Sequence, residues 1–327
     1  MKVGKLDTEL LQKIVFQHIT CRREEVLVRP GVGEDCAVVD FGNDACILST
    51  DPITGTAKEV GRLAVHISCN DVASNGVEPL GLMLTIMAPE GTTAAEIEEI
   101  MRQAGKEAAK LNVEIIGGHT EITTAVNRIV VSSTAIGRQV KNKVVSTKGA
   151  RVADCVLMTK TAGLEGTAII AHEHENRLKA YMGEEMVEQA KGMMDKISVV
   201  PEGVIGGEMG VSSMHDITEG GVLGAVWEMC EASKVGVVLY KERIKIAPET
   251  VKICRFFNID PLRLISSGCM LMTIGWEKVD GLVQSLTEKG IEVSVIGEII
   301  REGRYLVEGN QKIEIMPPES DELYKVV

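Results

Sequence analysis

Four short acidic stretches carry side chains that could bind a metal ion. Each lies at the end of an apolar segment, and they read GVGEDCAV (31–38), STDP (49–52), CNDVASNG (69–76) and GGHTE (117–121). Mg²⁺ prefers oxygen ligands and usually shares one or two carboxylates with water and substrate phosphates. If the fold brings the stretches together, the candidate ligands are Asp35, Asp51, Asp71 and Glu121. Taken singly, each acid also has a structural explanation as a turn residue, strand end, solvated helix position or surface charge.

A fifth stretch, HDITEGG (215–221), could bind an anion and exchange a proton. Gly220 and Gly221 precede a predicted helix, whose free N–H groups and dipole favour negative charge. Asp216 and Glu219 could act there as a general base or as metal ligands. A turn that simply caps the helix is the alternative interpretation.

Histidines and common motifs add little to this chemistry. His119 and His215 could each carry a proton near neutral pH, and each could equally be a structural hydrogen-bonding group. The sequence contains no G-x-x-x-x-G-K-[S/T], H-E-x-x-H or G-x-S-x-G motif, and no G-x-G-x-x-G follows a strand. The residues alone therefore predict an acidic site able to bind a metal, without naming a reaction.

Hydrophobic periodicity predicts a mixed α/β protein that positions these stretches. Residues 37–51 read as two strands, the second ending at Asp51, and residues 59–75 read as a helix with Asp71 near its end. Thr92 or Thr93 is predicted to begin a further helix. The apolar run VEII (113–116) reads as a strand that stops at GGHTE.

The polar, glycine-containing stretch near residue 150 predicts two domains, 1–150 and 151–327, each with its own sheet. In the second half, a helix is predicted over 222–233, directly after HDITEGG. The tail MPPESDELYKVV (316–327) is predicted to lie on the surface.

Composition excludes several partners. Aromatic residues make up 3% of the 327 residues and the net charge is −12, which argues against nucleic acid. The N-terminus shows no secretory h-region and no apolar run reaches the length of a membrane span. Eight scattered cysteines without a C-x-x-C pair predict a reducing cytoplasm.

In this order, the five stretches resemble a superfamily of aminoimidazole ribonucleotide (AIR) synthetases, selenophosphate synthetases, thiamine-monophosphate kinases and hydrogenase-maturation dehydratases. The resemblance covers nearly the whole chain. It implies a two-domain AIR synthetase-like α/β (α+β) fold, with an N-terminal domain that dimerises through a shared β-barrel and a C-terminal α/β domain. It also implies a homodimer that binds ATP and Mg²⁺ in a cleft.

Position by position, the resemblance implies three groups of site residues. The metal ligands are Asp35, Asp51, Asp71 and Glu121. The nucleotide-binding residues are Gly31, Gly33, Asp35, Asn70, Asp71, Gly117, Gly118, Thr120, Gly220 and Gly221. The catalytic residues are Asp216, Glu219 and His119.

Within the superfamily, the hydrogenase-maturation branch is the most similar, since its members read N-D-[I/V]-A and D-x-T-x-G-G. The kinases carry an S-D-G motif instead, and the selenophosphate synthetases a reactive N-terminal cysteine or selenocysteine that this sequence does not match. Members of the hydrogenase-maturation branch end in Pro-Arg-x-Cys, whereas this sequence ends in ELYKVV.

The leading hypothesis is therefore an ATP- and Mg²⁺-dependent enzyme that activates an amide or carbonyl oxygen of a small or protein-borne substrate. One alternative, favoured by the different terminus, is a non-catalytic nucleotide-binding maturation or regulatory protein with a partner protein. Another is a small-metabolite kinase or synthetase of the same superfamily.

Overall fold

The structure, a computed structural model, describes residues 8–53, 59–318 and 320–327. Within these residues the helices are α1 (Thr8–Ile14), α2 (Val60–Ser74), α3 (Ala94–Lys110), α4 (Leu164–Glu173), α5 (Glu175–Met182), α6 (Glu184–Gly192), α7 (Val200–Met209), α8 (Gly221–Ser233), α9 (Pro248–Phe257) and α10 (Val279–Glu288). The strands are β1 (Val26–Val28), β2 (Ala37–Phe41), β3 (Asp44–Ile53), β4 (Pro79–Ala88), β5 (Glu114–Ile122), β6 (Val130–Val140), β7 (Asp154–Thr159), β8 (Ser213–Asp216), β9 (Gly236–Tyr240), β10 (Met270–Gly275), β11 (Val293–Ile300), β12 (Arg304–Glu308) and β13 (Gln311–Glu314). No helix among the described residues is both long and apolar enough to cross a bilayer.

The first sheet has six strands in the order β1-β2-β3-β6-β4-β5. Side chains of β3 alternate between the two faces, so Ala45 and Ile47 are buried and Asp51 extends the same strand. The long antiparallel pairing of β3 with β6 sets Asp51 opposite Ser133. Among the described residues this sheet stays open, so the shared barrel of a dimer remains a prediction.

Helices α2 and α3 were both predicted from the sequence. Thr93 begins α3 with a capping box, in which Thr93 and Glu96 bond each other's backbone N–H. Helix α2 is buried on almost every side, which explains why Asp71 in its last turn is only 7% exposed. The alternative interpretation of Asp71 as a solvated helix position is therefore wrong.

The GGHTE stretch continues a strand, whereas the sequence predicted that the strand ends before it. Residues 117–121 pair in parallel with residues 83–87 of β4. Gly118 makes this pairing possible, because its φ is +149° and a Cβ there would lie 2.0 Å from the carbonyl oxygen of Leu84. The glycine thus serves close approach of two strands.

The second sheet has seven strands in the order β13-β12-β9-β11-β7-β10-β8. Its strand β8 ends at Asp216, opposite Met270 of β10. The two sheets lie on either side of the predicted boundary at residue 150, and helices of both halves share one apolar core. Helices α2 and α7 pack so closely that a Cβ on Gly203 would lie 2.1 Å from the carbonyl oxygen of Ala73.

The C-terminal segment, residues 320–327, is not a surface tail as predicted. Asp321 is 3% exposed and Leu323 is 4% exposed, and Leu323 belongs to the shared core. The carbonyl oxygen of Val326 lies 2.9 Å from His174 Nε2. Leu323, Val326 and the Asp321 carboxylate dock the segment, which is too sparse a pattern for periodicity to detect.

Candidate functional site

Four aspartates from both halves of the chain form an acidic cluster. Asp35 precedes β2, Asp51 lies on β3, Asp71 on α2 and Asp216 at the end of β8, and the charges of the other three all act on Asp71. Ser49 Oγ donates a hydrogen bond to Asp71 Oδ2 and lies 3.4 Å from Asp51 Oδ2. The structure thus brings together three of the four predicted metal ligands and the predicted catalytic Asp216.

Burial and mutual repulsion make this cluster unfavourable without a cation. Burial raises the pKa of the Asp71 carboxyl well above its ordinary value, and the charges of Asp216, Asp51 and Asp35 raise it further. Burial likewise raises the pKa of the Cys36 thiol, and the negative charge of Asp71 raises this pKa further. A divalent cation would relieve the repulsion between these carboxylates.

His215 supports the cluster and was not among the predicted site residues. Its Nδ1 lies 2.8 Å from Asp35 Oδ2 and its Nε2 lies 3.0 Å from Glu228 Oε2. Burial alone would lower the pKa of His215, but the carboxylates of Asp35 and Glu228 raise it well above its ordinary value. Ser74 Oγ also donates to Asp35 Oδ2, at 3.1 Å. The His215 ring therefore orients the Asp35 carboxylate.

The donor set of the acidic cluster fits a hard divalent cation. One ligand atom each from Asp35, His215 and Asp216 lies within 4.8 Å of the others. Both ring nitrogens of His215 already contact carboxylates, which leaves the carboxylate oxygens as the atoms that could hold a metal. Oxygen ligands of this kind are those that Mg²⁺ prefers.

The glycine-rich segment before β2 packs on helix α8. Gly33 has a φ of +72°, and a Cβ there would lie 3.0 Å from the carbonyl oxygen of Glu228. Gly31 lies two residues before it in the same loop. These predicted nucleotide-binding glycines therefore lie beside the helix that carries Glu228, next to Asp35 and His215.

Asn70, predicted to line the nucleotide site, connects the two halves of the chain. Its side-chain amide donates to the carbonyl oxygen of Ile197 at 2.9 Å, and its carbonyl oxygen accepts from the backbone N–H of Val199 at 2.8 Å. Both ends of the amide are thus used within the chain.

The predicted residues of β5 lie away from the acidic cluster within one chain. The strand row that contains Asp51 continues through Ser133 and Leu84 to Gly118, so two strands separate β5 from β3. This places the β5 backbone roughly 14 Å from that of β3. The strand carries Gly117, Gly118, His119, Thr120 and Glu121. The side chains of His119 and Glu121 are exposed and lie 3.4 Å apart.

The HDITEGG stretch uses its glycine amides internally. The N–H of Gly220 donates to Asp321 Oδ2 at 2.6 Å, and that of Gly221 donates to the carbonyl oxygen of Thr218 at 3.1 Å. Helix α8 begins at Gly221, one residue before the predicted start at 222, and ends at Ser233 as predicted. The charge of Glu219 acts on Glu165 and Asp321, which places it beside a second group of acids.

Two domain models of AIR synthase related proteins match the chain. The N-terminal domain model matches residues 33–139 and the C-terminal domain model matches residues 151–309. The chain belongs to the AIR synthase related family. The superfamily inferred from the five stretches is therefore confirmed.

Curated relatives within the AIR synthase related family are HypE-like. A putative hydrogenase expression/formation protein of Methanocaldococcus jannaschii is 26% identical over 93% of this chain and 90% of the relative. Carbamoyl dehydratase HypE of Cupriavidus necator is 26% identical over 83% of this chain and 76% of the relative. The latter name is that of an enzyme, in agreement with the prediction of an enzyme.

Solved structures of the AIR synthase related fold match nearly the whole chain. The HypE–HypF complex matches with a TM-score of 0.74 and 22% identity over 94% of this chain and 99% of that chain. HypE in complex with ATP matches with a TM-score of 0.72 and 18% identity, over 99% and 98% of the two chains. AaThiL complexed with AMPPCP and TMP matches with a TM-score of 0.74 and 18% identity, over 96% of this chain and 100% of that chain. The predicted mixed α/β, AIR synthetase-like fold is confirmed, while the domain bounds and the shared barrel remain predictions.

Proposed function

We propose that this protein is an ATP- and Mg²⁺-dependent enzyme that phosphorylates an amide or carbonyl oxygen of its substrate. The observation that carries the proposal is the acidic cluster, in which carboxylates of both halves of the chain meet and mutual repulsion raises the pKa of Asp71. ATP in a solved HypE structure and AMPPCP in a solved ThiL structure, both of the same fold, support nucleotide binding here.

Each residue of the cluster has a distinct role in the proposed reaction. Asp35, Asp51 and Asp71 would hold Mg²⁺, which when bound neutralises phosphate charge. His215 orients Asp35 and Ser49 orients Asp71.

Asp216 is the proposed base. In phosphorylation of an amide, the amide oxygen would form a bond to the γ-phosphorus as the bond to ADP breaks. The proton of the amide nitrogen would pass to the Asp216 carboxylate, leaving an imidate phosphate.

The exposed edge of β5 supports the predicted homodimer. This nine-residue edge strand carries Ile116 and Ile122, each 51% exposed. Long exposed edges pair readily with another chain. Because His119 and Glu121 lie outside the acidic cluster within one chain, their predicted roles at the nucleotide require a second copy. The HypE–HypF complex supports a maturation partner protein, and eight free thiols agree with a reducing cytoplasm.

The proposal is tested by ADP release from Mg-ATP with amide- or carbamoyl-bearing acceptors, small or peptide-borne. Asp216→Asn should lower the acceptor-stimulated rate by roughly a hundredfold or more, while Mg-ATP still binds. Asp195→Asn, a surface change at an acid paired with Arg62, serves as the control. Acceptor-independent ADP release, or an unchanged rate in Asp216→Asn, would overturn the assignment.

A further inference from the structure

The buried carboxylate of Asp321 joins the C-terminal segment to the turn that follows Asp216. Asp321 Oδ2 accepts the backbone N–H of Gly220 at 2.6 Å. Asp321 Oδ1 accepts the N–H of Ile265 at 3.2 Å and that of Leu323 at 2.8 Å. Gly220 and Ile265 are 101 and 56 positions from Asp321 in sequence, so one side chain fixes three separate segments.

The turn before α8 depends on the Asp321 carboxylate, because no side chain within the turn caps the N-terminus of the helix. Gly220 occupies the N-cap position of α8 and has no side chain to accept a hydrogen bond. Gly220 and Gly221 both have positive φ, and a Cβ on Gly221 would lie 2.7 Å from the carbonyl oxygen of Leu262. Bonds from backbone N–H groups to a carboxylate are among the stronger hydrogen bonds, and a helix N-terminus favours negative charge.

We propose that Asp321 is a positioning residue of the reaction centre, which holds the Thr218–Gly221 turn and thereby orients Asp216 toward the nucleotide phosphates. This inference rests on the proposed function. It also assigns the N–H of Gly220 to Asp321, so Gly220 shapes the phosphate site without donating to the nucleotide. Asp321 itself would contact neither substrate nor nucleotide.

Two substitutions of Asp321 distinguish loss of its bond to the Gly220 N–H from general destabilisation of the protein. In Asp321→Asn, the remaining carbonyl oxygen can still accept from Ile265 and Leu323, while the new amide group opposes the N–H of Gly220. In Asp321→Ala all three bonds are lost. Glu242→Ala is the matched control, since the carboxylate of exposed Glu242 accepts a backbone N–H elsewhere in the same half, that of Gly309 at 2.9 Å.

The first readout is hydrogen exchange without nucleotide at pH 8, above the pKa of Asp321, which burial raises to about 6. In Asp321→Asn, peptides covering 216–224 should exchange roughly tenfold faster or more, and peptides covering 320–327 should stay within about twofold of wild type. In Asp321→Ala both regions should exchange faster. In Glu242→Ala peptides covering 216–224 should be unchanged.

The second readout is the affinity for Mg-ATP compared with Mg-ADP. We expect Asp321→Asn to weaken Mg-ATP binding about tenfold and Mg-ADP binding much less, because the turn faces the reacting phosphate. Unchanged hydrogen exchange at 216–224 in both Asp321 variants would overturn the inference. Faster exchange at 216–224 combined with a wild-type ratio of Mg-ATP to Mg-ADP affinity would also overturn it. Failure of the wild-type protein to bind Mg-ATP would instead overturn the proposed function, while exchange would still decide whether Asp321 holds the turn.

Discussion

At the scale of single residues, buried carboxylates are the best indicators of function, because they destabilise the folded protein unless something binds them. Asp71 and Asp216 are buried among like charges, which costs free energy in the folded state. Buried carboxylates that repel one another are typical of functional sites, where a bound cation or ligand offsets the unfavourable free energy. Asp321 differs from both, because three backbone N–H groups surround it.

Glu165 gives a pH-dependent test of the second group of acids. Burial raises its pKa to about 7, with a further rise from Glu219 and Asp321 and a lowering by Ser267. Because the folded pKa exceeds the unfolded value, folded protein binds the extra proton, and stability falls as pH rises from the ordinary glutamate range to about 7. Glu165→Gln should remove this loss.

Urea unfolding of wild type and Glu165→Gln at pH 4.5 and pH 8 measures the effect. We expect the variant to gain stability relative to wild type between these values, by on the order of 2–3 kcal/mol. Glu277→Gln is a comparison in the same half of the chain, at an exposed position. Parallel pH profiles for wild type and Glu165→Gln would contradict the burial argument.

At the scale of elements, sequence patterns predicted those whose signals are local. The amphipathic stripe of α3 through Ile100, Ala104 and Ala108 follows from spacing, and of the two predicted starts, Thr92 and Thr93, the structure has Thr93 as the N-cap. The predicted end of β5 before GGHTE was wrong. Two glycines usually mark a turn, whereas here Gly118 allows β4 to approach β5 closely. That approach depends on residues more than thirty positions away, which local patterns do not report.

The C-terminal segment gives the prediction at this scale. Leu323→Ala should destabilise the protein by roughly 2–4 kcal/mol, because Leu323 is 4% exposed in the shared core. Val327→Ala, at a position 50% exposed, should change stability by less than about 0.5 kcal/mol. Chemical denaturation followed by circular dichroism provides the measurement. Equal effects of the two substitutions would mean that the segment does not dock.

At the scale of the whole molecule, the candidate site could be predicted only in part. Acidic stretches at the ends of apolar segments indicated a metal site, and the family resemblance selected Asp35, Asp51, Asp71 and Asp216. His215 was named only as a possible proton carrier, and its role beside Asp35 was missed because the two residues are 180 positions apart. Glu121 was grouped with the aspartates, yet the sheet order places it on an outer strand. Such long-range contacts follow from topology, which spacing does not encode.

The exposed β5 edge gives a prediction for assembly. Ile122→Lys should convert the proposed homodimer to monomer, because a charged side chain on an edge strand opposes pairing with a second copy. Val251→Lys, at a position 48% exposed on α9, should leave the assembly unchanged. Sedimentation velocity of wild type and both variants distinguishes these outcomes. A wild-type monomer, or a dimer that persists in Ile122→Lys, would contradict the proposed interface.

The central claim is that the acidic cluster binds the nucleotide through Mg²⁺, and calorimetric titration of ATP with and without Mg²⁺ tests it most directly. Wild type should bind ATP only with Mg²⁺, and Asp71→Asn should lose at least tenfold in affinity. At pH 8 the same variant without ligand should melt a few degrees higher, since a repelled buried charge is removed. Asp44→Asn, on the same strand as Asp51 and paired with Arg138, should match wild type. Equal Mg-ATP affinity of wild type and Asp71→Asn, or ATP binding that ignores Mg²⁺, would contradict the claim.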